Sequence, residues 1–146
     1  MSTTYRGRCL CGAIRYEIAA EPMFGGQCQC LDCQRESGGG HTSFIAFPAD
    51  AVKLTGTPRF YELTADSGNR MRRGFCPTCG SSVVGATTGL PGMRTISVGS
   101  LDDPSGFKPQ FVCYTSRGHA WDLVDPAVPS FPKMPPAPSE TEQGGP

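Results

Sequence analysis

The chain has 146 residues, 13 acidic and 13 basic side chains, no formal net charge and a pI near 6.7. This length fits a single domain with its own hydrophobic core, and the absence of a basic excess argues against nucleic acid as a partner. The chain has no apolar run of about 18 residues and no apolar N-terminal segment. We therefore expect no membrane association, no signal peptide and a cytoplasmic location.

Short runs with a period of two predict β-strands along most of the chain. The first run places Ile14, Tyr16 and Ile18 on one face and Arg15 and Glu17 on the other, which is typical of a half-buried strand. Similar runs occur at residues 42–48, 59–63, 81–86, 95–101 and 110–115, and residues 32–37 suit one helical turn. The pattern predicts a mainly β fold of short antiparallel sheets.

The C-terminal residues differ in composition from the rest of the chain. Residues 134–146 combine proline with small polar residues, a composition that favours a disordered tail. We therefore predict one folded domain over residues 1–133.

Eight cysteines indicate a chemical role, because a reducing compartment disfavours a disulfide framework. The segment CPTCG, residues 76–80, has the spacing of a metal knuckle, in which Gly80 can adopt a positive φ. In the segment CLC, Cys9 and Cys11 are two residues apart, so an extended chain would direct both sulfurs to one side. Cys9, Cys11, Cys76 and Cys79 are therefore predicted to form a closed structural zinc site.

The segment CQCLDC contributes three further cysteines, Cys28, Cys30 and Cys33. Three thiolates can hold one zinc ion and leave its fourth position open, an arrangement typical of catalytic zinc. Cys113 lies in an apolar run and is interpreted as a buried small side chain. Other interpretations remain: disulfides, an iron–sulfur cluster, or a second structural zinc closed by Cys113 or by a histidine (His41 or His119).

Five segments occur in order along the chain: GRCLCGAIRYE, CQCLDCQRESG, RRGFCPTCGSSV, VGSLDDP and the tryptophan of HAWDL, Trp121. Together they resemble the glutathione-dependent formaldehyde-activating enzyme family, whose domain is shared with centromere protein V. The resemblance covers about residues 5 to 133. It implies a β-tent fold related to zinc ribbons, with two zinc ions per chain.

The resemblance also implies roles for the cysteines and an activity. By position, Cys9, Cys11, Cys76 and Cys79 match the structural zinc ligands, and Cys28, Cys30 and Cys33 match the ligands of the catalytic zinc. The implied reaction joins glutathione to formaldehyde, giving S-(hydroxymethyl)glutathione, and is classed with carbon–sulfur lyases. The expected partner is a small-molecule thiol such as glutathione.

The chain departs from the family pattern beside the catalytic cysteines. Family members often have histidine where this chain has Gln29, and another histidine is common where it has Val112. Neither position is a predicted metal ligand.

Arginines near the cysteines are candidates to balance the negative charge of the thiolates or to bind substrate carboxylates. These are Arg35, which follows the second motif, and Arg73, with Arg70 and Arg72, ahead of the knuckle. Glu36, His41 and Tyr114 are candidate proton donors. Two non-enzymatic functions stay open: a binding module with both zinc ions structural, and a thiol redox or metal-storage protein.

Overall fold

The computed structural model describes residues 3–136. Most of the tail expected to be disordered lies outside these residues. The strands are Thr4–Arg8 (β1), Arg15–Ala19 (β2), Phe24–Cys28 (β3), Thr42–Pro48 (β4), Val52–Thr55 (β5), Arg59–Thr64 (β6), Arg70–Phe75 (β7), Ser82–Thr87 (β8), Met93–Ser97 (β9) and Val112–Cys113 (β10). One α-helix, Leu31–Ser37 (α1), follows β3, and in the described part of the chain no helix is long and apolar enough to span a membrane.

The strands form two sheets, so the prediction of a mainly β fold is confirmed. A three-stranded sheet has the order β1-β2-β5, and a seven-stranded sheet has the order β10-β3-β4-β9-β8-β7-β6. The neighbouring strands are antiparallel except for β10, which runs parallel to β3 and aligns Cys113 with Cys28. The larger sheet is therefore mixed, which corrects the expectation of antiparallel sheets alone.

The main core lies where the two sheets pack together. It contains Ile14, Tyr16 and Ile18 beside or in β2, as the alternation predicted, together with Ile45 and Phe47 of β4. Phe44 of β4 belongs instead to a smaller cluster built around Cys28, Cys33 and Cys113. Because successive side chains of a strand point to opposite faces, this smaller cluster lies on the other face of β4.

Several predicted elements change their bounds. Residues 98–100 form a 3-10 turn rather than the end of a strand, and residues 110–115 pair only at Val112 and Cys113. The helical segment is longer than expected. Cys30 caps the N-terminus of α1, and Gly38 ends the helix at a φ of 72°, a left-handed conformation that glycine adopts without strain.

Candidate metal centres

A four-cysteine cluster joins the turn after β1 to the turn between β7 and β8. The sulfurs of Cys9, Cys11, Cys76 and Cys79 all lie within 4.8 Å of one another. Cys11 Sγ is 3.7 Å from both Cys9 Sγ and Cys76 Sγ. Four sulfurs at zinc–sulfur bond distance around a tetrahedral ion are about 3.8 Å apart, so the spacing fits a metal ion.

The knuckle between β7 and β8 has the geometry predicted from CPTCG. The backbone N–H groups of Thr78 and Cys79 donate to Cys76 Sγ at 3.4 and 3.5 Å. Gly80 has a φ of 79°. The hydrogen bond between the Ser81 hydroxyl and the Cys79 thiol is the largest influence that lowers the pKa of Cys79, to about 5. These groups stabilise thiolates at this position.

The CLC segment reaches the cluster by a different local structure from the one predicted. Cys9 and Cys11 lie in a turn rather than in an extended strand, and Gly12 N–H donates to Cys9 O at 3.2 Å. The turn also directs the Ile14 N–H toward Cys9 Sγ, at 3.3 Å. Both cysteine pairs of this cluster are therefore presented by turns with N–H groups directed at sulfur.

A three-cysteine cluster forms where β3 runs into α1. The sulfurs of Cys28, Cys30 and Cys33 all lie within 4.8 Å of one another. Cys28 ends β3, Cys30 caps α1, and Cys33 in the first helical turn donates its N–H to Cys30 Sγ at 3.3 Å. Cys28 and Cys33 are buried and Cys30 is partly exposed, so solvent reaches the cluster at Cys30.

Cys113 adjoins this cluster but does not belong to it. Its side chain is buried and packs with Cys28 and Cys33. It is nevertheless absent from the group of sulfurs that lie within 4.8 Å of one another. Phe44, Phe111 and Tyr114 also pack against these cysteines, so aromatic groups adjoin the cluster.

The crowding of thiols in this cluster opposes their ionisation. Contact with the Cys113 thiol is the largest influence that raises the pKa of Cys28, and contact with Cys28 raises the pKa of Cys30. Thiolates this close together repel one another, and a bound cation removes that penalty. The donor set therefore fits a metal ion, and both cysteine clusters could hold one.

Arg73 of β7 connects the three-cysteine cluster to a neighbouring cleft. Its Nη2 donates to Cys33 Sγ at 3.7 Å, and its guanidinium pairs with Glu36 of α1. Glu36 also accepts a hydrogen bond of 2.9 Å from the Ser82 hydroxyl.

A cleft of about 550 Å³ lies beside Arg73 and Glu36, with Arg35 in its wall. Arg35 is exposed, and its side chain forms no ion pair with another of residues 3–136.

The three candidate proton donors have different surroundings. Glu36 is paired with Arg73, and His41 Nδ1 lies 2.9 Å from the Asp122 carboxylate. Tyr114 packs against the cysteines and has a φ of 56°, the one positive value among the described residues other than glycine.

The other histidine, His119, stacks on Trp121, and its Nε2 lies 3.0 Å from Gln34 Oε1. Neither histidine is part of a cysteine cluster.

Sequence reasoning missed a set of polar contacts behind the three-cysteine cluster. Gln29 donates its side-chain N–H to Asp122 Oδ2 at 3.0 Å, and Asp122 also contacts His41. Gln29 and Asp122 are 93 positions apart, so no local spacing links them. The signal available in the sequence was Gln29 itself, a polar residue between two cysteines.

The fold and the two cysteine clusters define a mainly β protein with two candidate metal centres. The model of the glutathione-dependent formaldehyde-activating enzyme family matches residues 4–117. The chain therefore belongs to this family, and the expectation drawn from its motifs is confirmed.

Two further comparisons bear on the chain. A crystal structure of a Rhodobacter sphaeroides protein, from a structural genomics programme, is similar with a TM-score of 0.56 and 17% identity. The similarity covers 86% of this chain and 98% of that one. At this identity the likeness supports the fold alone. No curated protein matches the chain significantly.

Proposed function

We propose that the chain is an S-(hydroxymethyl)glutathione synthase-like enzyme of the carbon–sulfur lyase type. It would join a small thiol, glutathione or a similar compound, to formaldehyde or another small electrophile. The proposal includes one β-tent domain over residues 1–133, two zinc ions per chain and a reducing, cytoplasmic location. The ions would be structural at Cys9, Cys11, Cys76 and Cys79, and catalytic at Cys28, Cys30 and Cys33.

One observation carries the proposal: three thiols fit a metal ion, and the nearest further thiol stands outside their set. A structural zinc site is normally filled by four protein ligands, whereas a catalytic site keeps a position for water or substrate. A bound Zn²⁺ would supply at that position the chemistry that holds a substrate sulfur as a thiolate. Family membership supports the same interpretation.

The reaction balances without an oxidant or reductant. The substrate S–H bond breaks, a sulfur–carbon bond forms to formaldehyde, and the carbonyl oxygen becomes the hydroxyl of the product. The proton lost by sulfur is replaced by one delivered to that oxygen. The protein therefore has to hold sulfur and carbon together and to let a proton move between them.

Side chains around the three cysteines support these tasks. Arg73, 3.7 Å from Cys33 Sγ, offsets the negative charge that accumulates when thiolates gather. Phe44, Phe111 and Tyr114 exclude water from one side of the cluster. Arg35 projects into the neighbouring cleft, where it can pair with a substrate carboxylate. We propose Arg35 and Arg73 as substrate-binding residues, with Arg73 acting mainly through the cluster's charge.

The activity can be tested by NMR exchange spectroscopy on glutathione and formaldehyde at equilibrium. The wild-type protein, loaded with zinc, should accelerate exchange into the hydroxymethyl adduct above the spontaneous rate. Cys30→Ser should bind about one zinc ion instead of two, stay folded and lose the acceleration. Cys113→Ala is the matched control, and it should keep both ions and the acceleration, because Cys113 is not a ligand.

Two results would count against the proposal. An exchange rate equal to the spontaneous rate for zinc-loaded wild type would remove the enzymatic function. Loss of one zinc ion in Cys113→Ala would make Cys113 a ligand and the second centre closed.

A non-catalytic binding module is the alternative function. Cys113 packs against Cys28. A small movement of β10 would bring its sulfur to the cluster as a fourth ligand, and this favours the binding module. In that case both zinc ions would be structural, and added thiols would not alter either centre.

A further inference from the structure

Gln29 is held in place from three directions. Its backbone N–H donates to Cys113 O at 3.0 Å, and its carbonyl oxygen accepts from Gln34 Nε2 at 2.8 Å. Its side-chain amide donates to Asp122 Oδ2 at 3.0 Å. Only 3% of the Gln29 surface is exposed to solvent. Gln29 is the one buried polar or charged residue among those the structure describes. Burial of an amide is favourable only when it is hydrogen-bonded, so Asp122 is a necessary partner.

Asp122 is held between Gln29 and His41. Its carboxylate accepts from Gln29 and lies 2.9 Å from His41 Nδ1. An added Cβ at Gly118 would meet the Gln29 amide, and one at Gly40 would meet the Asp122 carboxylate. Burial alone would raise the pKa of Asp122, but the hydrogen bonds from Gln29 and His41 hold it below its ordinary value. The carboxylate is therefore charged at neutral pH.

The contact with Asp122 lies on the side of the chain away from the sulfurs. Cys28 and Cys30 point toward the cluster, so the side chain between them, Gln29, points the opposite way. Among the described residues, the side-chain hydrogen bonds of Asp122 go to Gln29 and His41 and not to the three sulfurs. Of these two partners, Gln29 is the one that lies between two cysteines of the cluster.

We propose that Asp122 is a positioning residue for the three-cysteine cluster, and that through Gln29 it fixes the backbone between Cys28 and Cys30 at the spacing a metal ion requires. The proposal rests on the proposed function in one respect, namely that this cluster binds a metal. Groups that hydrogen-bond directly to a metal ligand typically contribute 10–100-fold to metal affinity, and we expect a contribution of up to this size from Asp122.

The test is titration of the full chain with Co²⁺, followed by the charge-transfer absorption of thiolate-bound cobalt. Wild type should bind two cobalt ions. Asp122→Ala should weaken cobalt binding at the three-cysteine cluster about 10–100-fold and leave binding at the four-cysteine cluster unchanged. Asp122→Asn keeps an oxygen that can accept from Gln29 and should restore most of the affinity. The matched control is Asp125→Ala, which removes a carboxylate of the same segment whose one hydrogen bond within the described part of the chain comes from the nearby Ala127 N–H.

A second pair of variants tests whether Asp122 acts through Gln29. In a Gln29→Leu background, Asp122→Ala should cause no further loss of cobalt affinity at the three-cysteine cluster. Equal second-site affinity in wild type and Asp122→Ala, or a parallel loss at both sites, would overturn the positioning role. Binding of only one cobalt ion by wild type would instead overturn the proposed function, and the positioning role with it.

Discussion

Arg73 shows how one side chain can serve both the fold and the site. It pairs with Glu36 of α1 and donates to Cys33 Sγ, while its Nε is buried with no partner among the described residues. Both members of the pair are about one-fifth exposed, so solvent screens their interaction only partly. The guanidinium therefore holds α1 against β7 and places a positive charge beside the thiols.

Replacing Arg73 by methionine should destabilise the protein by about 1–3 kcal/mol, because Glu36 is left without its partner. The double variant Arg73→Met, Glu36→Gln should recover part of that loss, since the remaining side chain is neutral. Urea unfolding of the zinc-loaded proteins measures both values. Equal stabilities for wild type and Arg73→Met would contradict a structural role for the pair.

Spacing in the sequence was sufficient to group seven of the eight cysteines. The knuckle, its N–H groups and the positive φ of Gly80 all follow from CPTCG. The position of Cys113 beside Cys28 does not, because it depends on the pairing of β10 with β3. Contacts of this kind, like that of Gln29 with Asp122, join residues far apart in the chain and leave no local pattern.

At the scale of elements, β3 is the strand that presents the three-cysteine cluster. The period-two analysis did not predict this strand, because its sequence, FGGQC, has Gly25 and Gly26 where apolar and polar side chains would normally alternate. The structure gives the reason, since the Phe111 ring lies where a side chain on Gly26 would be. That ring in turn packs against the cysteines.

Gly26→Ala should destabilise the protein by about 1–3 kcal/mol, because the added methyl group would lie 2.8 Å from the Phe111 ring. It should also weaken metal binding at the three-cysteine cluster. Gly92→Ala is the matched control, since nothing lies within 4 Å of its added Cβ. Thermal unfolding with metal analysis measures both effects, and equal behaviour of the two variants would refute this role of Gly26.

Other elements differ from prediction for identifiable physical reasons. The segment at 98–100 was predicted as part of the strand run 95–101 but closes as a 3-10 turn, with Leu101 N–H donating to Val98 O. The β7 strand, RMRRGF, has three arginines and shows no apolar alternation. It is stabilised by β6 and β8 on either side, which a single segment of sequence does not reveal.

For the whole molecule, the four-cysteine cluster links the two sheets. Cys9 and Cys11 follow β1 of the smaller sheet, whereas Cys76 and Cys79 lie between two strands of the larger one. A metal ion there would close a loop of about 65 residues, which reduces the entropy of the unfolded chain. The three-cysteine cluster has no such role, because it lies within one sheet and the adjoining helix.

Metal removal should therefore proceed in two stages with different consequences. A mild chelator should take the metal from the three-cysteine cluster first and leave the fold intact, because three protein ligands hold that ion and four hold the other. Loss of the second metal should unfold the protein. Zinc release to a chromogenic chelator, followed together with far-UV circular dichroism, gives the order. Unfolding that accompanies the first metal lost would contradict this division.

The sequence sufficed to predict the broad architecture because strand periodicity and cysteine spacing are local properties. Strand order, the parallel β10 and the cleft beside α1 depend on how distant segments pack. The family match over residues 4–117 then adds an expected activity that packing alone does not provide.

The most direct test of the account is the cadmium-113 NMR spectrum of the cadmium-loaded protein, because the chemical shift reports how many thiolates surround each ion. We expect two signals: one typical of four thiolates and insensitive to glutathione, and one typical of three thiolates that moves toward the four-thiolate range as glutathione binds. Two four-thiolate signals that ignore added thiol would contradict an open second centre.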